Sequence, residues 1–257
     1  MKLGISTLIL YRKRRVNLAE IIELNGEIDR WEILDEGFNK LSPEQVESLS
    51  RIDGKCFSVH APFSNINIAE PEPMLKEAFL KTLTRSLKAA YKIGAEAWIL
   101  HPGHYSPFTK CFPELAQHES LKAIKSLSKM AEDYGIRLYV ENLPGKNSLL
   151  SDLESTERFL EKVDESVGLC LDIGHANLFE GVECFIERLH DRIGYIHAHD
   201  NVGNFDQHLP VGEGTVNWKN VVNLLNKFKF KGWMIVENLS IEDSMKSLRF
   251  LNKLINR

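Results

Sequence analysis

GLCLDIGH, residues 168–175, is a short apolar run that stops on Asp172 and reaches His175 three residues later. Five other runs end on similar residues: SVHAPF (58–63) on His60, WILHPGH (98–104) on His101, LYVEN (138–142) on Glu141, YIHAHD (195–200) on His197 and WMIVEN (233–238) on Glu237. Asp206 and His208 follow in NFDQHLPVGEG (204–214). Short apolar, β-branched runs read as buried strands. A closed parallel barrel brings every strand C-terminus to one face, where barrel enzymes build their sites. Nine ligand-type side chains, from His60 to Glu237, then share one mouth.

Strand-like and helix-like patterns alternate, as βα units on a parallel sheet require. Strands are expected at Lys2–Ser6, Trp31–Leu34, Cys56–His60, Ala97–His101, Arg137–Glu141, Gly168–Asp172, Gly194–His197 and Trp233–Glu237. Helices are expected at Leu18–Glu23, Pro43–Ser50, Met74–Ile93, Pro113–Tyr134, Ser151–Val163, Val182–Leu189, Trp218–Phe228 and Ile241–Ile255. Gly94 and Gly135 stand where helix C-caps belong, and Ser42 precedes Pro43 as an N-cap should. The fold class is α/β: a (β/α)8 TIM barrel, one domain over residues 1–257, close to the usual barrel length of about 250. An open doubly wound sheet gathers its sites at one switch point, so ligands at nearly every strand end disfavour it.

The net charge of −4 supplies no global pull toward nucleic acid. Cys56, Cys111, Cys170 and Cys184 form no CxxC pair and read as free thiols. MKLGISTLIL carries its basic cluster after the apolar run, the reverse of a signal peptide. No run approaches the roughly 18 apolar residues of a membrane span, so no membrane partner and a cytoplasmic location are expected. The sequence leaves the oligomeric state open.

Glu141, Asp172 and Glu237 close apolar runs where solvation is poor, and three carboxylates in one dry pocket repel one another. A divalent cation removes that conflict, and His197 adds a nitrogen ligand that favours a transition metal. Taken singly, each residue also reads as an ordinary hydrogen-bonded polar group; as a set, they read as a metal site. His60, His101, Asp206 and His208 form a second expected cluster. His199 shares the parity of His197 and is placed behind the ligands; His104, His118 and His190 read as surface residues. The glycines of GEG (212–214) read as a tight turn. Arg12, Lys13, Arg14 and Arg15 follow the first strand and read either as a solvated loop or as a grip for a phosphate.

These segments, with LGIST at the start, resemble the xylose isomerase-like barrels, which join sugar isomerases and epimerases with endonuclease IV (AP endonuclease family 2). The likeness covers nearly the whole chain, and the motifs are specific as a set rather than singly. The epimerase resemblance implies one metal held by Glu141, Asp172, His197 and Glu237, with His175 on the substrate. Glu141 and Glu237 then exchange a carbon-bound proton from opposite faces of a metal-chelated hydroxy-ketone. The endonuclease resemblance implies three zinc ions on His60, His101, Glu141, Asp172, His175, His197, Asp206, His208 and Glu237, acting on abasic-site DNA. The substrate arginine of the epimerases is missing where VGNFDQH stands.

The expected function is a metal-dependent isomerase or epimerase of a small sugar or sugar phosphate, with one to three zinc or manganese ions. Glu141 and Glu237 are its catalytic residues, and His175, His60, Arg14 and Arg15 its substrate contacts. The alternative is an endonuclease IV-like zinc phosphodiesterase, the only case in which DNA is a partner. Against it, the loops SNINIAEPEP (64–73), IGHANLFEGVE (173–183), DNVGNFDQHLPVGEG (200–214) and NLSIED (238–243) contain no Lys or Arg. A DNA-binding rim offers several basic phosphate contacts.

Overall fold

A computed structural model describes residues 1–179 and 181–256; Glu180, within the acidic IGHANLFEGVE segment, lies outside the described residues. Eight parallel strands close on themselves in sequence order: β1 (Lys2–Ser6), β2 (Arg30–Leu34), β3 (Cys56–His60), β4 (Ala97–Leu100), β5 (Arg137–Glu141), β6 (Gly168–Asp172), β7 (Ile193–Ala198) and β8 (Trp233–Val236). The closing ladder pairs Lys2 with Trp233 and Ile5 with Val236. The fold is the expected (β/α)8 barrel.

Strand side chains alternate between two faces, and the core divides accordingly. Ala97, Ile99, Cys170, Tyr195, Trp233 and Ile235 form one cluster inside the barrel. Their neighbours Trp98, Leu100, Leu169, Leu171, Ile196, Met234 and Val236 belong to the larger layer beneath the helices. Two residues beyond Ile99, Cys170, Tyr195 and Ile235 come His101, Asp172, His197 and Glu237. Period two therefore turns a packed apolar floor into a ring of histidine and carboxylate side chains one layer higher. The Tyr139 ring fills space beside Gly168 and Gly194, where an added Cβ would lie 2.5 and 2.4 Å from it.

The helices obey their capping signals. In α1 (Leu18–Leu24) Asn17 accepts from Ala19 N–H, and in α2 (Pro43–Leu49) Ser42 accepts from Gln45 N–H. After α3 (Pro73–Lys92), Gly94 takes φ 70° while its N–H donates to Tyr91 and that of Ala95 to Ala90. Gly135 repeats this double bond after α4 (Pro113–Asp133). Helix α5 (Leu153–Leu160) is shorter than expected because Asp152 and Ser155 form a reciprocal capping box that starts it there. One turn, α6 (Ile173–Ala176), was not anticipated; α7 (Val182–Leu189), α8 (Trp218–Lys227) and α9 (Ile241–Ile255) were.

Strands β4 and β8 stop one residue short of His101 and Glu237, so these side chains stand just past the ladder. His190 corrects a surface expectation: it is half-buried, stacked 4.0 Å from the Phe228 ring. His118 is exposed, as is His104. All four cysteines are free. No helix among the described residues is long and apolar enough to cross a membrane.

Candidate metal centre

Glu141 is the hub of the mouth. It is 2% exposed, and its Oε2 lies 3.1 Å from His60 Nε2 and 3.2 Å from His101 Nε2. His60 directs Nε2 there because its Nδ1–H donates to the Ala61 carbonyl at 2.8 Å. Glu141 Oε1 faces His197 Nδ1 at 3.3 Å, and the same nitrogen lies 3.6 Å from Glu237 Oε2 and 3.8 Å from Asp172 Oδ2. Four strands thus deliver Glu141, Asp172, His197 and Glu237 to one point.

A second group forms beside it. Asp172 accepts from His175 N–H at 2.7 Å and so caps α6, the turn that carries His175 into the mouth. His175 Nδ1–H donates to the Asn142 carbonyl, leaving Nε2 3.4 Å from Asp206 Oδ2. His208 Nδ1–H donates to the Glu237 carbonyl, leaving its Nε2 3.2 Å from the same oxygen. The expected second cluster is therefore regrouped: His60 and His101 gather on Glu141, whereas Asp206 and His208 meet His175. Residue His208 holds φ 50°, an uncommon backbone state at a ligand position.

The loop bearing Asp206 and His208 is pinned from below. The Asp200 carboxylate accepts from Gly212 N–H, Val216 N–H and Trp218 Nε1–H. Asn238 donates to the His208 and Leu209 carbonyls. Gly212 takes φ 89°, and a Cβ on Gly214 would lie 2.1 Å from Asp200 Oδ1, so GEG is a tight-turn element as read.

Charge divides sharply across the cup. Burial disfavours ionisation of Glu141, but His197 and His101 outweigh it and hold the carboxyl well below its usual range. Burial pushes Glu237 up to about 8, opposed by His197 and reinforced by Glu32 and Glu141. Burial also works against charge on three histidines, yet carboxylates prevail: Glu141 lifts His60 to about 9, Asp172 and Asp206 lift His175 to about 10, and Asp206 lifts His208 to about 9. Burial keeps His101 and His199 below the ordinary value.

One buried member escaped the sequence reading, and a second takes a more central place than expected. Glu32 on β2 places Oε2 3.0 Å from His197 Nε2; it sits inside WEIL rather than at a strand end. His199, placed behind the ligands, is fully buried within the cup, with Nε2 3.0 Å from Asp172 Oδ1 and its ring stacked 4.0 Å from His208. Its parity with His197 was the available signal. Arg14 and Arg15 stand apart on the exposed loop after β1, with the Arg14 guanidinium 5.8 Å over the Phe38 ring.

The donor set fits a divalent cation. His197 Nδ1, His199 Nδ1 and Asp206 Oδ1 are buried without a hydrogen-bond partner, an expensive condition unless an ion satisfies them. Triads of ligand atoms within 4.8 Å of one another include His60–His101–Glu141, Glu141–Asp172–His197, Asp172–His175–His199 and His199–His208–Glu237. A family model described as the xylose isomerase-like TIM barrel matches residues 20–254. The chain belongs to that family.

Several known proteins are similar to this chain at different distances. An uncharacterized protein of Methanocaldococcus jannaschii is 30% identical over 261 residues, covering 98% of this chain and 89% of the relative. A probable endonuclease 4 of Mesomycoplasma hyopneumoniae is 25% identical over 202 residues, covering 72% of this chain and 70% of the relative. Among solved structures, a D-tagatose 3-epimerase-like protein superposes with TM-score 0.92 at 29% identity, covering 100% of this chain and 97% of that one.

Proposed function

We propose that this chain is a divalent-metal-dependent isomerase or epimerase of a small sugar or sugar phosphate. One observation carries the reading: two buried glutamates flank His197 Nδ1 in a single cup, Glu141 at 3.3 Å and Glu237 at 3.6 Å, so that carboxylates from two strands face one ion position. Without metal, histidines hold Glu141 ionised while burial and its carboxylate neighbours push Glu237 up to about 8, a conflict that a bound cation would relieve.

Glu141, Asp172, His197 and Glu237 would hold the ion, with His60, His101, His175, Asp206 and His208 able to hold more, for one to three zinc or manganese ions. A bound cation supplies Lewis acidity that lowers the pKa of a C–H beside a substrate carbonyl. Glu141 is the ionised carboxylate suited to removing that proton. Glu237 stands on the other side of His197, where its carboxylate would exchange that proton from the opposite face. His60 and His175 flank the cup as substrate contacts. Arg14 and Arg15 are assigned only to a phosphate reaching the rim, at their distance from the floor.

The second reading, an endonuclease-like phosphodiesterase, is favoured by the presence of every ligand position and by the likeness to probable endonuclease 4 proteins. Against it, four strand-to-helix loops at the mouth contain no Lys or Arg to meet a phosphate backbone. Metal-loaded protein in D2O with a panel of ketoses and ketose phosphates is expected to place deuterium on carbon in at least one. No exchange with any member, together with nicking of abasic duplex DNA, would transfer the assignment to the phosphodiesterase.

A further inference from the structure

The barrel interior holds an acid that a proton-transfer site does not itself require. Glu32 is fully buried on β2, beneath the cup, and shares that floor with three other carboxylates. A further buried carboxylate is costly unless it has a partner and a task. Its Oε2 accepts from Tyr195 Oη–H at 2.9 Å and lies 3.0 Å from His197 Nε2. Tyr195 is fixed in turn by Ser58 Oγ at 2.6 Å. Ser58, Tyr195 and Glu32 therefore form a polar chain that ends on the far nitrogen of His197.

We infer that Glu32 is a positioning residue for the metal: it fixes His197 as the Nε2–H tautomer and so aims the Nδ1 lone pair at the ion. The geometry leaves His197 little choice. Carboxylates face both ring nitrogens, but only Glu32 Oε2 meets hydrogen-bond geometry, so the proton of the neutral ring belongs on Nε2. Nδ1 then has no hydrogen-bond partner and faces Glu141, Glu237 and Asp172 at 3.3, 3.6 and 3.8 Å. Carboxylates behind a ligating histidine orient the ring and raise its basicity. Glu32 Oε2 is shared between two donors, whereas Oε1 has none and Glu32 groups with His197 and Glu237 as a candidate triad, so zinc stoichiometry is what separates support from ligation. The inference rests on the metal-dependent reading above and adds a residue outside the ligand set.

Zinc affinity of the full-length chain, measured by competition with a chromophoric chelator, and thermal unfolding of the metal-free protein test it together. Glu32→Gln is expected to weaken zinc binding about 10- to 100-fold, while the metal-free protein melts no lower than wild type. A merely structural Glu32 would instead lower the metal-free melting temperature. Tyr195→Phe removes one donor that holds Glu32, and roughly a 5-fold weakening is expected, the worth of one ordinary hydrogen bond. This second variant decides the matter if Glu32→Gln does not fold. Unchanged affinity in the folded variants overturns the inference, as does loss of a whole zinc equivalent in Glu32→Gln, which would make Glu32 a ligand. Wild-type protein that binds no zinc defeats the metal reading itself, whereas wild-type binding with unaffected variants defeats only the role of Glu32.

Discussion

Stripping the metal and raising the pH should destabilise the fold, by an amount set by the histidines of the cup. His60 and His208 rise from 6.5 to about 9, and His175 to about 10, each held by a buried carboxylate. Each binds its proton more tightly when folded than when unfolded. The stability they contribute is complete below pH 6.5 and is lost as pH climbs through 9 to 10. At about 1.4 kcal/mol per pH unit, His60 alone accounts for about 3 kcal/mol. His175 and His208 share Asp206, so their contributions do not simply add. Glu237, raised from 4.5 to about 8, acts in the same direction across a lower window. For a chain of this size, about 3 kcal/mol corresponds to roughly 6–12 °C in melting temperature. Circular-dichroism melts of chelator-treated protein from pH 6 to 9.5 should show that fall. Metal-loaded protein should not, because its ligands have already given up their protons. A metal-free melting temperature that stays level from pH 6.5 to 9 would refute the electrostatic picture, and so would an equal fall in the loaded protein.

Glu237→Gln should cut solvent-deuterium exchange by about 10²- to 10⁴-fold, the usual worth of a positioned proton donor or acceptor, while the far-ultraviolet spectrum keeps the barrel signature; retained exchange removes Glu237 from the chemistry. Gly174→Ala forces a methyl to within 2.0 Å of the His199 ring. It should cost about 1–3 kcal/mol and lower bound metal, as read by calorimetry and elemental analysis; an unperturbed variant would show that His199 can move freely. Changing Arg14 and Arg15 together to Ser should raise KM for phosphorylated ketoses more than for free ones, and an equal effect on both discards a phosphate contact at the rim.

Most of the barrel was legible because one signal repeats: an apolar run that ends on a ligand marks both a strand and its C-terminal face. Val182–Leu189 and Ile241–Ile255 fall where the pattern placed them, and the structure shows what the asparagines after Glu141 and Glu237 do. Asn142 exchanges hydrogen bonds with the Asp172 backbone, and Asn238 ties down the loop of His208. Glu32 was hidden because it lies two residues short of a strand end, and its meaning comes only from a contact with His197 across 165 positions. The grouping of His60 and His101 with Glu141 follows from strand order, since β3, β4 and β5 are neighbours in the barrel, whereas the turn of His208 and Asp206 toward His175 depends on a loop conformation that strand patterns do not show. Arg14 and Arg15 show the converse: following a strand placed them on the correct face but not in the cup.

Anomalous diffraction at the zinc edge from crystals of zinc-loaded protein asks the decisive question. Liganding by Glu141, Asp172, His197 and Glu237 requires a peak about 2.0–2.2 Å from their oxygen and nitrogen atoms. A fully loaded crystal whose peaks all avoid those four side chains would leave the proposed chemistry without a centre.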